Sequence, residues 1–126
     1  MSENRYETAV ARYFEAWNAT GPAEDAVKAV GAALTEDGTY TDPVADVTGH
    51  TALAEVIAGA HALFPGHEFR LEGAVDGHHD TARFRWELVS LADGSAPVAG
   101  SDVITLAADG RIATVLGFLD RVPPTA

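Results

Sequence analysis

The chain has 126 residues, with 8 Lys and Arg against 19 Asp and Glu, which gives a net charge of −11 at neutral pH. This length fits one compact domain over residues 1–126, and the negative charge disfavours binding to nucleic acid or to anionic membranes. Cysteine is absent, which excludes disulfides, thiol catalysis and thiolate metal sites.

Three helices are predicted in the first half of the chain. The second of them begins near Pro22 and ends at the pair Asp37-Gly38. The third runs from about residue 51 to residue 64 and ends at Pro65-Gly66. The first helix is indicated by apolar residues that recur at helical spacing: Val10, Tyr13, Phe14 and Trp17.

A short strand is predicted at residues 39–42, between the second and third helices. Alternation along this strand places Tyr40 and Asp42 on the same face, and Pro43 ends it. If Tyr40 points into the core, the carboxyl group of Asp42 points there as well.

Four long strands are predicted in the second half, near 67–75, 80–91, 97–107 and 111–121. Three Asp-Gly pairs, at 76–77, 93–94 and 109–110, separate them, since Asp-Gly supplies the positive φ angles that tight hairpin turns need. The order of helices and strands predicts an α+β domain, in which three N-terminal helices pack on one face of a curved antiparallel sheet.

Three polar residues lie among apolar neighbours and are candidates for acid–base chemistry. Tyr13 is either a core tyrosine or a hydrogen-bond donor to a ligand. Asp42, just before Pro43, either forms a turn or serves as a general base inside the domain. Asp102 interrupts an apolar strand, where aspartate is disfavoured, and is either exposed at an edge or turned inward.

Histidines and loop motifs add little. His61 shares a helix face with Leu53 and Ile57, so it either packs in the core or touches a ligand. No group has the spacing of metal ligands, and no phosphate-binding loop, serine elbow or dinucleotide fingerprint is present. We therefore expect neither a metal nor a cofactor. No apolar run reaches the roughly 20 residues of a bilayer span, and the amino terminus lacks a signal pattern, so we expect a cytoplasmic protein.

Several segments resemble one superfamily over nearly the whole chain. They are Arg12-Tyr13-Phe14 with Ala16 and Asn18, Tyr40-Thr41-Asp42-Pro43-Val44, Gly49 before a helix, and Asp102 eight residues before Gly110. This pattern resembles the nuclear transport factor 2-like superfamily, which includes ketosteroid isomerases and SnoaL-like polyketide cyclases. The resemblance implies a cone-shaped fold with a deep apolar pocket, and a homodimer.

The resemblance also implies roles for the three polar residues. Tyr13 matches the oxyanion-binding tyrosine of the isomerases, Asp42 the aspartate that moves the proton, and Asp102 the acid kept neutral as a second donor. Ile57 stands where those enzymes carry a supporting tyrosine. We expect ligand contacts from nine residues: Trp17, Tyr40, Ile57, His61, Trp86, Leu88, Ile104, Leu116 and Phe118.

Two functions remain open at this point. The first is a cofactor-free isomerase or cyclase acting on a small hydrophobic ring compound that carries a carbonyl group. The second is a small-molecule-binding protein that uses the same pocket without turnover, since this fold hosts both.

Overall fold

Three helices and six strands follow one another along residues 4–124, the part of the chain that this computed structural model describes. None of the helices in this range is long and apolar enough to cross a bilayer. The elements are α1 (Arg5–Trp17), α2 (Ala23–Ala33), β1 (Leu34–Thr41), β2 (Asp46–Thr48), α3 (His50–Leu63), β3 (His67–His78), β4 (Thr81–Ser90), β5 (Val98–Leu106) and β6 (Ile112–Arg121).

Helix α1 begins at Asn4, whose side-chain oxygen accepts hydrogen bonds from the backbone N–H groups of Tyr6 and Glu7. This cap satisfies donors that the first helical turn leaves unpaired. The helix contacts α2 and β3. Its buried residues recur at the predicted helical spacing and are Ala9, Val10, Tyr13, Ala16 and Trp17.

The sheet has the strand order β2-β1-β6-β5-β4-β3, and the predicted fold class is confirmed. Neighbouring strands are antiparallel except β1 and β6, which are parallel, so this curved, open sheet is mixed. Short turns join β3 to β6 in succession, and strands joined by a short turn must be antiparallel. No short turn joins β1 to β6, so these two strands can lie parallel.

Local turn signals mislead at two places. Helix α2 ends at Ala33, and the Asp37-Gly38 pair lies inside β1, where the register with β6 shifts between Leu34 and Thr39. The pair at residues 76–77 lies inside β3, and the chain turns instead after His78. Asp76 and Gly77 pair with Arg83 and Ala82 of β4, so ladder hydrogen bonds and packing override the turn preference of that dipeptide. Asp37-Gly38 instead falls in the irregular stretch between Leu34 and Thr39, where the chain passes from one pairing register with β6 to the next. Strand β2 was not predicted.

A bulge in β6 decides which of its side chains face the helices. Leu106 pairs with Ile112 while Thr105 pairs with Thr114, so β6 carries one extra residue at this point. An extra residue reverses the alternation that follows it. As a result Leu116 and Phe118 are 44% and 58% exposed on the outer face of the sheet. This corrects the expectation that they contact a ligand inside.

Candidate active site

A cavity of about 500 Å³ lies between the inner face of the sheet and helices α1 and α3. This volume is within the range of sites that hold small organic ligands. Its mouth is marked by exposed apolar side chains, among them Val44 and Leu63. Twenty residues line it: Tyr13, Phe14, Trp17, Tyr40, Asp42, Val44, Ala45, Val56, Gly59, Ala60, Leu63, Phe64, Phe69, Trp86, Leu88, Val98, Asp102, Leu119, Val122 and Pro123.

Tyr13 brings a hydroxyl group from α1 to the cavity wall and is 3% exposed. Its ring packs against Phe14, Trp17 and Phe84, with centroid distances of 6.2, 6.1 and 5.8 Å. Burial raises the pKa of this hydroxyl well above its usual range, and the nearby Asp102 adds to the rise. Tyr13 therefore stays protonated and can donate a hydrogen bond at any physiological pH.

Asp102 projects from the inner face of β5 and is 4% exposed. Burial raises its pKa from 3.8 to about 7, while donor groups of Trp86 and Tyr13 oppose the rise and the charge of Asp42 contributes to it. Near neutral pH this carboxyl group is thus present in both its neutral and its ionised form. In the neutral form it can donate a hydrogen bond into the cavity.

Asp42 stands at the end of β1 with both carboxyl oxygens engaged. Its Oδ1 accepts hydrogen bonds from the backbone N–H groups of Val44 and Ala45, at 2.8 Å each, and its Oδ2 accepts one from the Tyr40 hydroxyl at 2.5 Å. Acceptance at both oxygens fits an ionised carboxylate. Asp42 therefore forms the turn, as one of the two sequence-based alternatives predicts, and it also lines the cavity.

Two glycines on the inner face of the sheet make room for these groups. A Cβ atom on Gly117 would lie 2.9 Å from Asp102 Oδ1 and 3.2 Å from Asp42 Cβ, and one on Gly100 would lie 2.3 Å from the Trp86 ring. Any side chain at these positions would displace a cavity residue. Neither glycine was predicted as a site residue, although glycine inside a strand is a sequence signal for such close approach.

The nine expected ligand contacts divide into three groups. Four line the cavity: Trp17, Tyr40, Trp86 and Leu88. Ile57 and Ile104 are 1% and 0% exposed and belong to the core rather than the cavity wall, and His61 bonds through Nε2 to the backbone oxygen of Trp17 at 2.6 Å. Leu116 and Phe118 lie on the opposite face of the sheet, as described above.

The cavity wall includes no Lys, Arg or His among the described residues, and Asp42 and Asp102 are its ionisable acids. The arginines that the sequence places on β4 point to the outer face, where Arg83 pairs with Asp76 and Arg85 with Glu72. Within residues 4–124 no cluster of three or more histidines and acids could hold a metal ion. The site is therefore apolar, acidic and rich in hydrogen-bond donors.

The SnoaL-like domain model matches residues 10–115 of this chain. No curated protein sequence matches the chain. Among solved structures, a candidate isomerase of the SnoaL-like family from Agrobacterium tumefaciens str. C58 is 39% identical, with a TM-score of 0.84. That alignment covers 92% of this chain and 97% of the other.

Two more distant structures share the fold. An NTF2-like protein of unknown function from Exiguobacterium sp. 255-15 is 24% identical over 89% of this chain and 98% of its own, with a TM-score of 0.67. A candidate SnoaL-like polyketide cyclase from Jannaschia sp. CCS1 is 20% identical over 95% and 91% of the two chains, with a TM-score of 0.71.

Proposed function

The chain belongs to the SnoaL-like domain family, and on that premise we propose that it is a cofactor-free acid–base enzyme, an isomerase or a cyclase. Its substrate is a small hydrophobic ring compound that carries a carbonyl group. One observation carries this proposal: a hydroxyl donor and two carboxyl groups, Tyr13, Asp42 and Asp102, line the same apolar cavity. The relatives described as a candidate isomerase and a candidate cyclase support the reaction class.

In the proposed reaction Asp42 removes a proton from the carbon next to the carbonyl group. The C–H bond breaks, an O–H bond forms on Asp42, and the electron pair moves onto the carbonyl oxygen as an enolate. Tyr13 and neutral Asp102 donate hydrogen bonds to that oxygen. Each such preorganised donor is typically worth about 3–4 kcal/mol in the transition state.

The enolate can react in two ways, and in both of them Asp42 returns the proton. In an isomerase, a second carbon of the enolate takes the proton back from Asp42, which moves the double bond. In a cyclase, the enolate carbon attacks another carbonyl carbon of the same molecule, and the new alkoxide takes the proton from Asp42. Both return Asp42 to its ionised state without an external reactant.

The composition of the wall restricts the charge of the substrate. A carboxylate or phosphate on the ligand would leave water without meeting a cation in the cavity, which costs several kcal/mol. The protein's overall charge of −11 repels such ligands further. We therefore propose a neutral substrate, whose carbonyl end lies next to Tyr13 and Asp102 and whose apolar end lies at the mouth.

A direct test follows the isomerisation of an unconjugated cyclic enone, whose conjugated product absorbs in the ultraviolet. Replacement of Asp42 by Asn removes the base and should lower the rate by about 100-fold to 10,000-fold. The exposed Asp46, which does not line the cavity, gives the matched control Asp46→Asn. Equal rates in the wild type and Asp42→Asn would contradict catalysis by Asp42, and tight binding without turnover would favour the binding protein.

A further inference from the structure

The indole nitrogen of Trp17 has no hydrogen-bond partner, although it is buried. It is the one buried side-chain nitrogen or oxygen atom among residues 4–124 in this condition, and Trp17 as a whole is 7% exposed. Buried donors are paired in the great majority of cases, so an unpaired one needs an explanation. Because Trp17 lines the cavity, a ligand is the partner that the structure leaves room for.

Trp17 is held firmly in place at the end of α1. Its ring is surrounded by Tyr13, Tyr40 and Phe69, with centroid distances of 6.1, 5.5 and 5.0 Å. The backbone oxygen of Trp17 is hydrogen-bonded to His61, which ties it to α3.

The next residue fastens the same end of α1 to the sheet. Asn18 donates to the backbone oxygen of Phe69 at 2.9 Å and accepts from its N–H at 2.7 Å. A donor fixed on two sides in this way is preorganised, so it loses little conformational freedom when a ligand binds.

The unpaired N–H lies near the Tyr13 hydroxyl on the cavity side of α1. Burial dominates the raised pKa of Tyr13, and the Trp17 indole N–H, pointing toward the Tyr13 hydroxyl, opposes that rise. The two groups are therefore close, although they do not have the geometry of a hydrogen bond. They stand one helical turn apart on α1, so both side chains project from the same face of the helix. One oxygen atom of a ligand can accept hydrogen bonds from two such donors.

We propose that Trp17 is a specificity-determining residue, whose Nε1–H donates a hydrogen bond to the same ligand oxygen that Tyr13 contacts. This inference rests on the proposed function, because it assigns the carbonyl oxygen of the substrate as the acceptor. The inference adds to the proposed function a requirement on the ligand, which must carry a hydrogen-bond acceptor at this position. A ligand without an acceptor at this position leaves the indole N–H unpaired and binds more weakly than its shape predicts.

The first test is a nuclear magnetic resonance titration of the wild-type protein. The chain has two tryptophans, so its spectrum contains two indole N–H signals, and the loss of one signal in Trp17→Phe assigns them. The ketone 2-tetralone should shift the Trp17 signal downfield, whereas tetralin, which has the same rings without the oxygen, should not. Equal shifts with both compounds, or no shift with bound ketone, would overturn the proposal.

The second test measures how the affinity depends on the ligand oxygen. Trp17→Phe keeps a ring and removes the N–H, so the ratio of tetralin to 2-tetralone dissociation constants should fall by about threefold to tenfold. Phe69→Leu removes an adjacent cavity ring without a donor, and should weaken both compounds alike and leave the ratio unchanged. A ratio that Trp17→Phe does not change would refute the direct bond.

A third comparison separates action on the ligand from action through Tyr13. If Trp17 contacts the ligand itself, its effect on the ratio persists when Tyr13 is replaced by Phe. An effect that vanishes in Tyr13→Phe would show that Trp17 works through the tyrosine, and the proposal would be wrong. These experiments measure binding, so they can succeed even if the enone assay shows no turnover and the proposed function fails.

Discussion

Asp42 and Asp102 reach the same cavity from two strands that do not touch each other, because β6 runs between them. Gly117 of β6 pairs with Asp102 of β5, and its neighbour Leu116 pairs with Thr41, the residue before Asp42. The missing side chain of Gly117 leaves the space that the two acids share. Their proximity is part of the reason why the pKa of Asp102 is raised, after burial itself.

A methyl group at position 117 should disrupt this arrangement. In Gly117→Ala the new Cβ lies 2.9 Å from Asp102 Oδ1, so at least one acid has to move, at a cost of about 1–3 kcal/mol in the free energy of unfolding. Urea denaturation measures this loss, and ligand affinity should fall with it. As a control for stability alone, Gly59→Ala on α3, whose added Cβ meets no atom outside its own helix within 4 Å, should raise stability by up to about 1 kcal/mol. Unchanged stability and affinity in Gly117→Ala would contradict the shared space.

The raised pKa of Asp102 makes folding depend on pH in a defined direction. Between pH 3.8 and about 7, the native state keeps a proton that the unfolded chain releases. The stabilisation is therefore full below the unfolded pKa and is lost as pH rises through about 7, with a total of about 4 kcal/mol. Urea unfolding of the wild type and of Asp102→Asn should show a flatter dependence on pH in the variant. Parallel curves would show that Asp102 is solvated.

The same group should give the proposed reaction a falling rate at high pH. Asp102 donates to the enolate oxygen only when it is protonated, so kcat should decline as pH rises above about 7. In Asp102→Asn the amide donates at every pH, and this decline should disappear even if the overall rate is lower. A decline that persists in the variant would assign it to another group.

The hydroxyl group of Tyr40 should matter for catalysis more than for binding. It donates to Asp42 Oδ2 at 2.5 Å and thereby orients the proposed base. In Tyr40→Phe we expect kcat to fall by about tenfold, the equivalent of one hydrogen bond to a charged group, with little change in KM. Steady-state kinetics with the cyclic enone separates the two constants. A change confined to KM would make Tyr40 a binding residue only.

The outer face of the sheet is where we expect two copies of the chain to meet. Leu116 and Phe118 are exposed there, and β3 and β4 carry both positive and negative side chains on the same face. A patch that is apolar and carries both charges fits a twofold contact, in which one surface meets its own copy. Sedimentation velocity should show a dimer for the wild type and a monomer for Phe118→Glu. The control Leu91→Glu, in the exposed loop after β4, should stay dimeric. A monomeric wild type would contradict this proposal.

Most of the fold could be predicted because its signals are local. Apolar spacing identified α1 and α3, and alternation placed β4, β5 and β6 within a few residues of their observed bounds. The boundary between α2 and β1 could not be found in this way. Asp37-Gly38 lies in an irregularity of β1, and the residues on either side of it are held by β6, which lies far away in the chain.

The candidate site was predictable in part for a similar reason. Tyr13, Asp42 and Asp102 stood out as polar residues in apolar surroundings, and all three line the cavity. Leu116 and Phe118 were misplaced because alternation indicates which residues share a face, but not which face is inside. That choice depends on a bulge formed against β5.

The class of fold and the three polar site residues follow from hydrophobic periodicity and side-chain chemistry, which are properties of neighbouring residues. Three features follow instead from contacts between distant strands: Gly117 lets Asp42 and Asp102 approach each other, burial raises the pKa of Asp102 to about 7, and the indole nitrogen of Trp17 lacks a partner. Desolvation and unpaired donors depend on what surrounds an atom, and strands distant in sequence supply those surroundings.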